Sequence, residues 1–215
     1  MARSGDDGDR DNDGGRDNHG DLDSDDGRRF GPFPLEAMSP EQRTVADEIL
    51  SGPRAGSTGL RGPFEALLHS PDLADAAQRL GVHIRFGSSL PTPLNEMAII
   101  MVARRWTAQF EWYAHRQMAV DAGLDPAVAD AIAEGRRPIL DADGAAVYEF
   151  VSELLEEGGV GDAAFGDVAS RWGKRGAIDL IGAAGYYTLV SFVLNVDRYP
   201  VPVDRPPLGP VRPGS

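Results

Sequence analysis

The chain has 215 residues, of which 41% are hydrophobic, and a formal net charge of −13. This length and apolar content suffice for one sizeable domain with a buried core. The acidic balance argues against a nucleic-acid partner, because binding phosphates requires basic density. The chain contains no cysteine, which excludes thiol redox chemistry, disulfides and thiolate metal sites.

The two ends differ in composition from the middle of the chain. Residues 1–30 are rich in Asp, Gly, Arg and Asn and have almost no apolar side chains. Such a segment cannot bury enough surface to offset its ordering entropy, so we predict a disordered acidic tail. Residues 198–215 are rich in proline and predict an extended arm. The N-terminus lacks the apolar stretch of a secretory signal, so we expect a cytoplasmic protein.

Between these tails, residues 31–197 form one predicted domain with helical periodicity. The first helix has a start signal at Ser39–Gln42, with Ser as N-cap, Pro in the first turn and Gln three residues after the cap. No convincing alternating strand is present, so the predicted fold class is all-α. The first predicted helix starts at 39–40, the second spans 70–86, the third starts at 92, the fourth spans 110–122 and the fifth starts at 125. Three further helices are predicted at 141–157, 162–172 and 176–195.

The apolar run 177–196 is long enough to cross a bilayer. It also contains Asp179, Tyr186, Tyr187 and Asn195, which suit a buried helix at a core or subunit interface better. We therefore predict no membrane association.

The pair Glu111 and His115 is the strongest chemical signal in the sequence. Residues at i and i+4 share one face of a helix, so a carboxylate and an imidazole could point into the same cavity. The alternative is a helix-stabilising ion pair worth about 0.2–0.5 kcal/mol. Glu96 lies about 22 Å from Glu111 along an unbroken helix. Glu96 could lie in the same site as Glu111 and His115 only if the helix breaks near 106–109. Thr107 is a candidate N-cap for the helix that follows such a break.

Further candidates surround this group. Trp106 and Trp112 could wall an apolar pocket, although aromatic residues at helical spacing also suit a core. Arg105 could bind a substrate carboxylate, or lie on a solvated face. Tyr186 could line the site or a subunit interface. We expect no metal ion, because Glu-x-x-x-His lacks a second His ligand, and no cofactor, because no nucleotide-binding motif is present.

The stretch 94–123 resembles the carboxymuconolactone decarboxylase family, which shares a fold with alkylhydroperoxidase D. In the peroxidase branch of that fold, an acid is followed after eleven residues by Cys-x-His-Cys-x-x-x-His. Laid on this chain, the acid falls on Glu96, the two cysteines fall on Ala108 and Glu111, and the last histidine falls on His115. The acid and the final histidine are kept and both sulfurs are missing, as in the decarboxylase-type branch.

The resemblance covers about 62–202 and implies an alkylhydroperoxidase D-like helical bundle that assembles as trimers or hexamers. It also implies a cofactor-independent lyase acting on a small carboxylated lactone or related carbonyl acid. His115 would carry the proton, Glu111 would orient the imidazole, and Glu96 would be a second acid or base. Two alternatives remain open: a non-catalytic binding or assembly protein, and a peroxidase-type activity, against which the missing cysteines argue.

Overall fold

The computed structural model describes residues 27–31, 33–55, 59–201 and 207–209. These residues form eight α-helices and a short 3₁₀ turn at Leu35–Ala37, and they contain no strand. The predicted all-α class is therefore confirmed. The helices are α1 Pro40–Ser51, α2 Pro63–Leu67, α3 Pro71–Val82, α4 Thr92–Arg105, α5 Gln109–Asp121, α6 Pro126–Ala133, α7 Ala142–Glu157 and α8 Asp162–Asp197.

Most helix starts lie where the local sequence predicts them. Ser39 and Gln42 form a reciprocal capping box at the start of α1, which satisfies two backbone donors that the helix leaves open. The side chains of Asp125 and Asp141 accept backbone hydrogen bonds at the starts of α6 and α7. Helix α2 was not predicted, because its five residues are too few to show a helical period.

Helix α4 forms the centre of the protein. Residues 95–104 are all buried, and the helix packs against α5, α6, α7 and α8. A helix enclosed on every side is expected to be apolar all round. Two polar residues near its start, Asn95 and Glu96, are therefore notable, because a buried polar group requires a partner.

The predicted break between α4 and α5 is confirmed, since α4 ends at Arg105 and α5 begins at Gln109. This short connection folds α5 back against α4. The prediction that Thr107 caps α5 is wrong. Thr107 has a φ of 48° and lies in the turn before the N-cap position. Ala108 is the N-cap residue of α5, and its side chain makes no capping hydrogen bond.

The two helices predicted at 162–172 and 176–195 are both present, joined end to end in α8 across a kink. Helix α8 runs for 36 residues, with non-helical backbone angles only at Gly173 (φ 68°, ψ −177°). Among the described helices it is the one long and apolar enough to cross a membrane. More than half of its most apolar window is buried inside the protein, and the core helix of a soluble protein passes the same test.

Both predicted tails lie largely outside the described residues. In the N-terminal segment, the backbone N–H groups of Arg29 and Phe30 donate to the backbone and side chain of Asp197. Arg28 forms ion pairs with Asp197 and Glu65. These residues of the predicted tail 1–30 are thus held against the end of α8. In the predicted arm 198–215, Leu208 is buried in the core and exchanges two hydrogen bonds with the Gln109 side chain.

Candidate active site

Glu96 and His115 form a buried pair at the centre of the molecule. Glu96 on α4 places Oε2 2.6 Å from Nδ1 of His115 on α5. Both side chains are less than a tenth exposed. The turn between the two helices makes this contact between residues 19 positions apart. A carboxylate at Nδ1 favours the tautomer with its proton on Nδ1, which leaves Nε2 free for chemistry.

Glu111 lies on the other side of the same imidazole. Its Oε1 is 3.4 Å from Nε2 of His115 and makes no hydrogen bond within the described part of the chain. Burial raises the pKa of the Glu111 carboxyl to about 7; the nearby His115 lowers it, Glu96 raises it, and Arg54 and Arg85 lower it. Near neutral pH Glu111 is therefore poised between acid and base.

A small cavity of about 30 Å³ lies beside His115. It has room for one or two water molecules. Two arginines, Arg54 and Arg85, and two tyrosines, Tyr186 and Tyr187, form part of its wall. Burial raises the pKa of Tyr186 to about 12 and that of Tyr187 well above its ordinary value. Both hydroxyls are therefore protonated and able to donate hydrogen bonds.

A larger cavity of about 910 Å³ lies against another face of α5. Trp112 and Tyr113 line it together with Leu208 and Gly209, of which Leu208 is buried and Gly209 is exposed. Four residues line both cavities: Arg61, Phe110, Ala114 and Met118. One layer of side chains therefore separates a ligand-sized space from the cavity beside His115.

The sequence-predicted residues divide into two groups. Glu96 and Glu111 both contact His115, and His115 and Tyr186 line the small cavity. Trp112 lines the larger cavity instead.

Neither Trp106 nor Arg105 lines either cavity. The indole of Trp106 donates to Thr188 and packs edge-on against Phe192. Arg105 is exposed, and its guanidinium lies 5.7 Å from the centre of the Trp106 ring. These contacts tie α4 to α8 rather than to the acid/base group.

Sequence reasoning missed Arg54 and Arg85. Arg54 follows α1 in an irregular connection, where no local pattern indicates burial. A signal did exist for Arg85, because it continues the buried i, i+4 face that runs through Ala77 and Gly81 of α3. Tyr187 follows Tyr186 directly, so only the packing of α8 shows that both rings are buried.

The described residues contain no group of three His, Asp or Glu side chains arranged to hold a metal ion. Each nitrogen of His115 faces a carboxylate. The positive and hydroxyl-bearing wall of the small cavity suits an anion instead.

No protein-family model matches the chain, and no curated protein is significantly similar to it in sequence. Solved structures are similar in fold. An uncharacterized peroxidase-related protein from Ralstonia eutropha JMP134, described as an alkylhydroperoxidase AhpD core, has a TM-score of 0.65 and 18% identity, covering 80% of this chain and 92% of that one. A peroxidase-related protein from Silicibacter sp. TM1040 has a TM-score of 0.61 and 12% identity, with coverages of 80% and 91%.

A third structure, a protein of unknown function from Agrobacterium tumefaciens described as a putative antioxidant defence protein AhpD, has a TM-score of 0.56. It is 15% identical, and the match covers 64% of this chain and 96% of that one. These likenesses confirm the predicted alkylhydroperoxidase D-like fold. At such identities fold similarity says nothing about activity.

Proposed function

We propose that this protein is a cofactor-independent acid/base catalyst of the decarboxylase type. Its substrate would be a small carboxylated lactone or a related carbonyl acid. The observation that carries the proposal is the buried series Glu96–His115–Glu111 beside a cavity with three arginines, Arg54, Arg61 and Arg85, in its wall. An ordinary helix-stabilising ion pair would lie at the surface, whereas all three of these side chains are buried.

In the proposed reaction, the bond between the substrate carbon and its carboxylate breaks and carbon dioxide leaves. The electron pair moves into the neighbouring carbonyl and forms an enolate. The imidazolium of His115 then delivers the Nε2 proton to carbon, and water supplies one proton to His115 to complete the cycle. Glu96 holds the ring through Nδ1, so that Nε2 faces the reacting carbon.

Glu111 has a second task in this scheme. Because its pKa is raised to about 7, a protonated carboxyl is present near neutral pH and can donate a hydrogen bond to the developing enolate oxygen. The small volume beside His115 requires the substrate to displace wall side chains, and Phe110 and Met118 separate it from the larger cavity.

The direct test is carbon-dioxide release from a panel of carboxylated lactones and β-keto acids, followed with ultraviolet absorbance. Wild-type protein should turn over at least one compound. His115→Gln should lower kcat by about 10²–10⁴, the usual contribution of a positioned acid or base. The matched control is His69→Gln, because His69 lies on the surface and lines neither cavity.

Equal loss of turnover in His115→Gln and His69→Gln would contradict the assigned role of His115. Full activity in His115→Gln would contradict it as well. Glu96→Gln should lower kcat more than it changes KM, because Glu96 acts by positioning the imidazole and does not touch substrate.

We also propose that the protein self-associates, as a homotrimer or hexamer. An apolar face on α8 supports this: Ile178, Ile181, Phe192 and Val196 are all well exposed. They recur at spacings that place them along one side of the helix, and an exposed apolar strip of this kind marks an interaction surface. The same face equally suits the alternative of a non-catalytic assembly protein.

A further inference from the structure

Arg85 is half-buried and has weak partners for its guanidinium. It lies in a single π-helical turn, His83–Gly87, which follows α3. One Nη atom donates to the thioether sulfur of Met118 at 3.1 Å, and a thioether is a weak acceptor. Its Nε is buried and has no hydrogen-bond partner in the described part of the chain. π-Helical turns often occur at functional sites.

Tyr187 provides a second unsatisfied donor at the same place. Its side chain is 2% exposed, and its hydroxyl makes no hydrogen bond among the described residues. The ring packs edge-on against His115, with 4.8 Å between ring centres. A buried hydroxyl without a partner is costly, so its retention beside the acid/base group requires an explanation.

Arg85 and Tyr187 both line the cavity of about 30 Å³, together with Arg54. Arg54 is 5% exposed, and its guanidinium lies over the Phe64 ring at 5.1 Å. Arg54 and Arg85 carry positive charge, and the Tyr187 hydroxyl can donate a hydrogen bond. A planar anion with two acceptor oxygens satisfies this set of donors best.

We infer that this cavity is a carboxylate-binding subsite, in which Arg85 and Tyr187 hold a carboxylate of the substrate with support from Arg54. The volume suits a carboxylate, whose two oxygens take the places of one or two waters. A tetrahedral phosphate is larger, and its additional oxygens need more hydrogen-bond donors than a carboxylate does. The inference deepens the proposed function, and its catalytic meaning rests on that proposal.

The substrate would then carry two carboxylates: the one held here would anchor it and stay on the product, and the other would leave as carbon dioxide. Two cations stabilise a carboxylate and would oppose its conversion to neutral carbon dioxide. The reacting carbon would then lie on the side of His115 and Glu111, within the reach of a small acid. Arg85 and Tyr187 would set the specificity for anionic over neutral substrates.

The test uses acetate as the probe, with acetamide as its uncharged isostere and inorganic phosphate as the competing anion, all at constant ionic strength. Binding is followed by the imidazole nitrogen and proton signals of His115 in NMR spectra of the full chain. Acetate should shift these signals saturably, and acetamide and phosphate should not. Arg85→Gln should weaken acetate binding about tenfold or more, and Tyr187→Phe about fivefold, since hydrogen bonds to charged groups are the stronger kind.

The control variant is Arg79→Gln, which removes an exposed guanidinium bonded to Asp75 and should bind acetate as the wild type does. Acetate binding that persists unchanged in both Arg85→Gln and Tyr187→Phe would overturn the subsite. Equal responses to acetate and acetamide, or tighter binding of phosphate, would overturn it too. If Arg85→Gln does not fold, Tyr187→Phe alone tests the subsite, because this variant loses only the hydroxyl oxygen and is expected to fold.

The experiments test the subsite and the proposed reaction independently of each other. Acetate binding without turnover of any panel compound would contradict the decarboxylase proposal and leave the subsite standing. Turnover that depends on His115, without acetate binding, would contradict the subsite and leave the reaction standing.

Discussion

At the scale of single residues, one imidazole between two carboxylates organises the centre of this protein. Glu96 makes a short bond to Nδ1 of His115, and Glu111 approaches Nε2 from the adjacent turn of α5. Burial raises the pKa of the Glu111 carboxyl to about 7. A protonated carboxyl is therefore present near neutral pH, which is a requirement of acid catalysis.

This arrangement predicts how stability depends on pH. The folded pKa of Glu111 is raised from its ordinary 4.5 to about 7, so folding takes up a proton between these values. The stabilisation from the neutral carboxyl is complete below about pH 4.5 and is lost as pH rises through about 7. In this window wild type should lose up to about 1.4 kcal/mol of unfolding free energy per pH unit relative to Glu111→Gln, as measured by urea unfolding at several pH values.

The groups facing Glu111 are His115 on its own helix, Glu96 on α4, Arg54 and Arg85. The same four groups are present in both proteins, so the difference between the two curves reports the loss of the Glu111 carboxyl. For the surface variant Glu157→Gln, the curve of unfolding free energy against pH should run parallel to that of wild type between pH 4.5 and 7. A Glu111→Gln curve parallel to wild type would show that the carboxyl ionises normally when folded.

At the scale of secondary-structure elements, α3 and α8 approach closely at the site. Gly81 on α3 lies where any side chain would overlap the Tyr186 hydroxyl and the Arg54 guanidinium. A glycine inside a helix normally costs about 1 kcal/mol relative to alanine. Here the missing Cβ makes room for two cavity residues to pack against the helix backbone.

Gly81→Ala should therefore lower the unfolding free energy by about 1–3 kcal/mol, the usual effect of overpacking, despite the better helix propensity of alanine. Gly166→Ala is the matched control on α8, since a Cβ there meets nothing within 4 Å. It should stabilise by about 0.5–1 kcal/mol. Urea unfolding of the two variants measures both effects, and equal gains would show that the space beside Gly81 is not filled.

At the scale of the whole molecule, α8 has one face buried in the core and another exposed to solvent. One face carries Tyr186 and Tyr187 into the core, and the opposite face exposes Ile178 and Ile181. Gly185 lies one turn beyond Ile181 on the same side of the helix, and a Cβ there would meet nothing within 4 Å. Small residues on a helix face allow close approach of a second helix.

The proposed self-association predicts that Ile178→Glu with Ile181→Glu lowers the molar mass in solution toward that of one chain, 23.0 kDa. Charges facing each other in a desolvated interface oppose assembly. Sedimentation equilibrium measures the mass directly. Leu73→Glu, an exposed leucine on α3, is the control and should leave the mass of the wild type unchanged. A monomeric wild type would contradict the proposal at once.

The local sequence determined those features that depend on short-range physics. The capping signals at Ser39, Asp125 and Asp141 predicted where helices begin, because an N-cap side chain acts on backbone groups two or three residues away. The i, i+4 spacing placed Glu111 and His115 on one face, and the short segment 106–109 predicted the turn that brings Glu96 to them.

Only the tertiary structure decided what surrounds that group. Arg54, Arg85 and Tyr187 come from three separate parts of the chain, and no local pattern links them. Trp106 and Arg105 have the right residue types for a site, but the turn after α4 directs them toward α8 or solvent. Burial, which raises the pKa of Glu111, is likewise a property of the packed molecule, because it depends on every element that excludes water from the site.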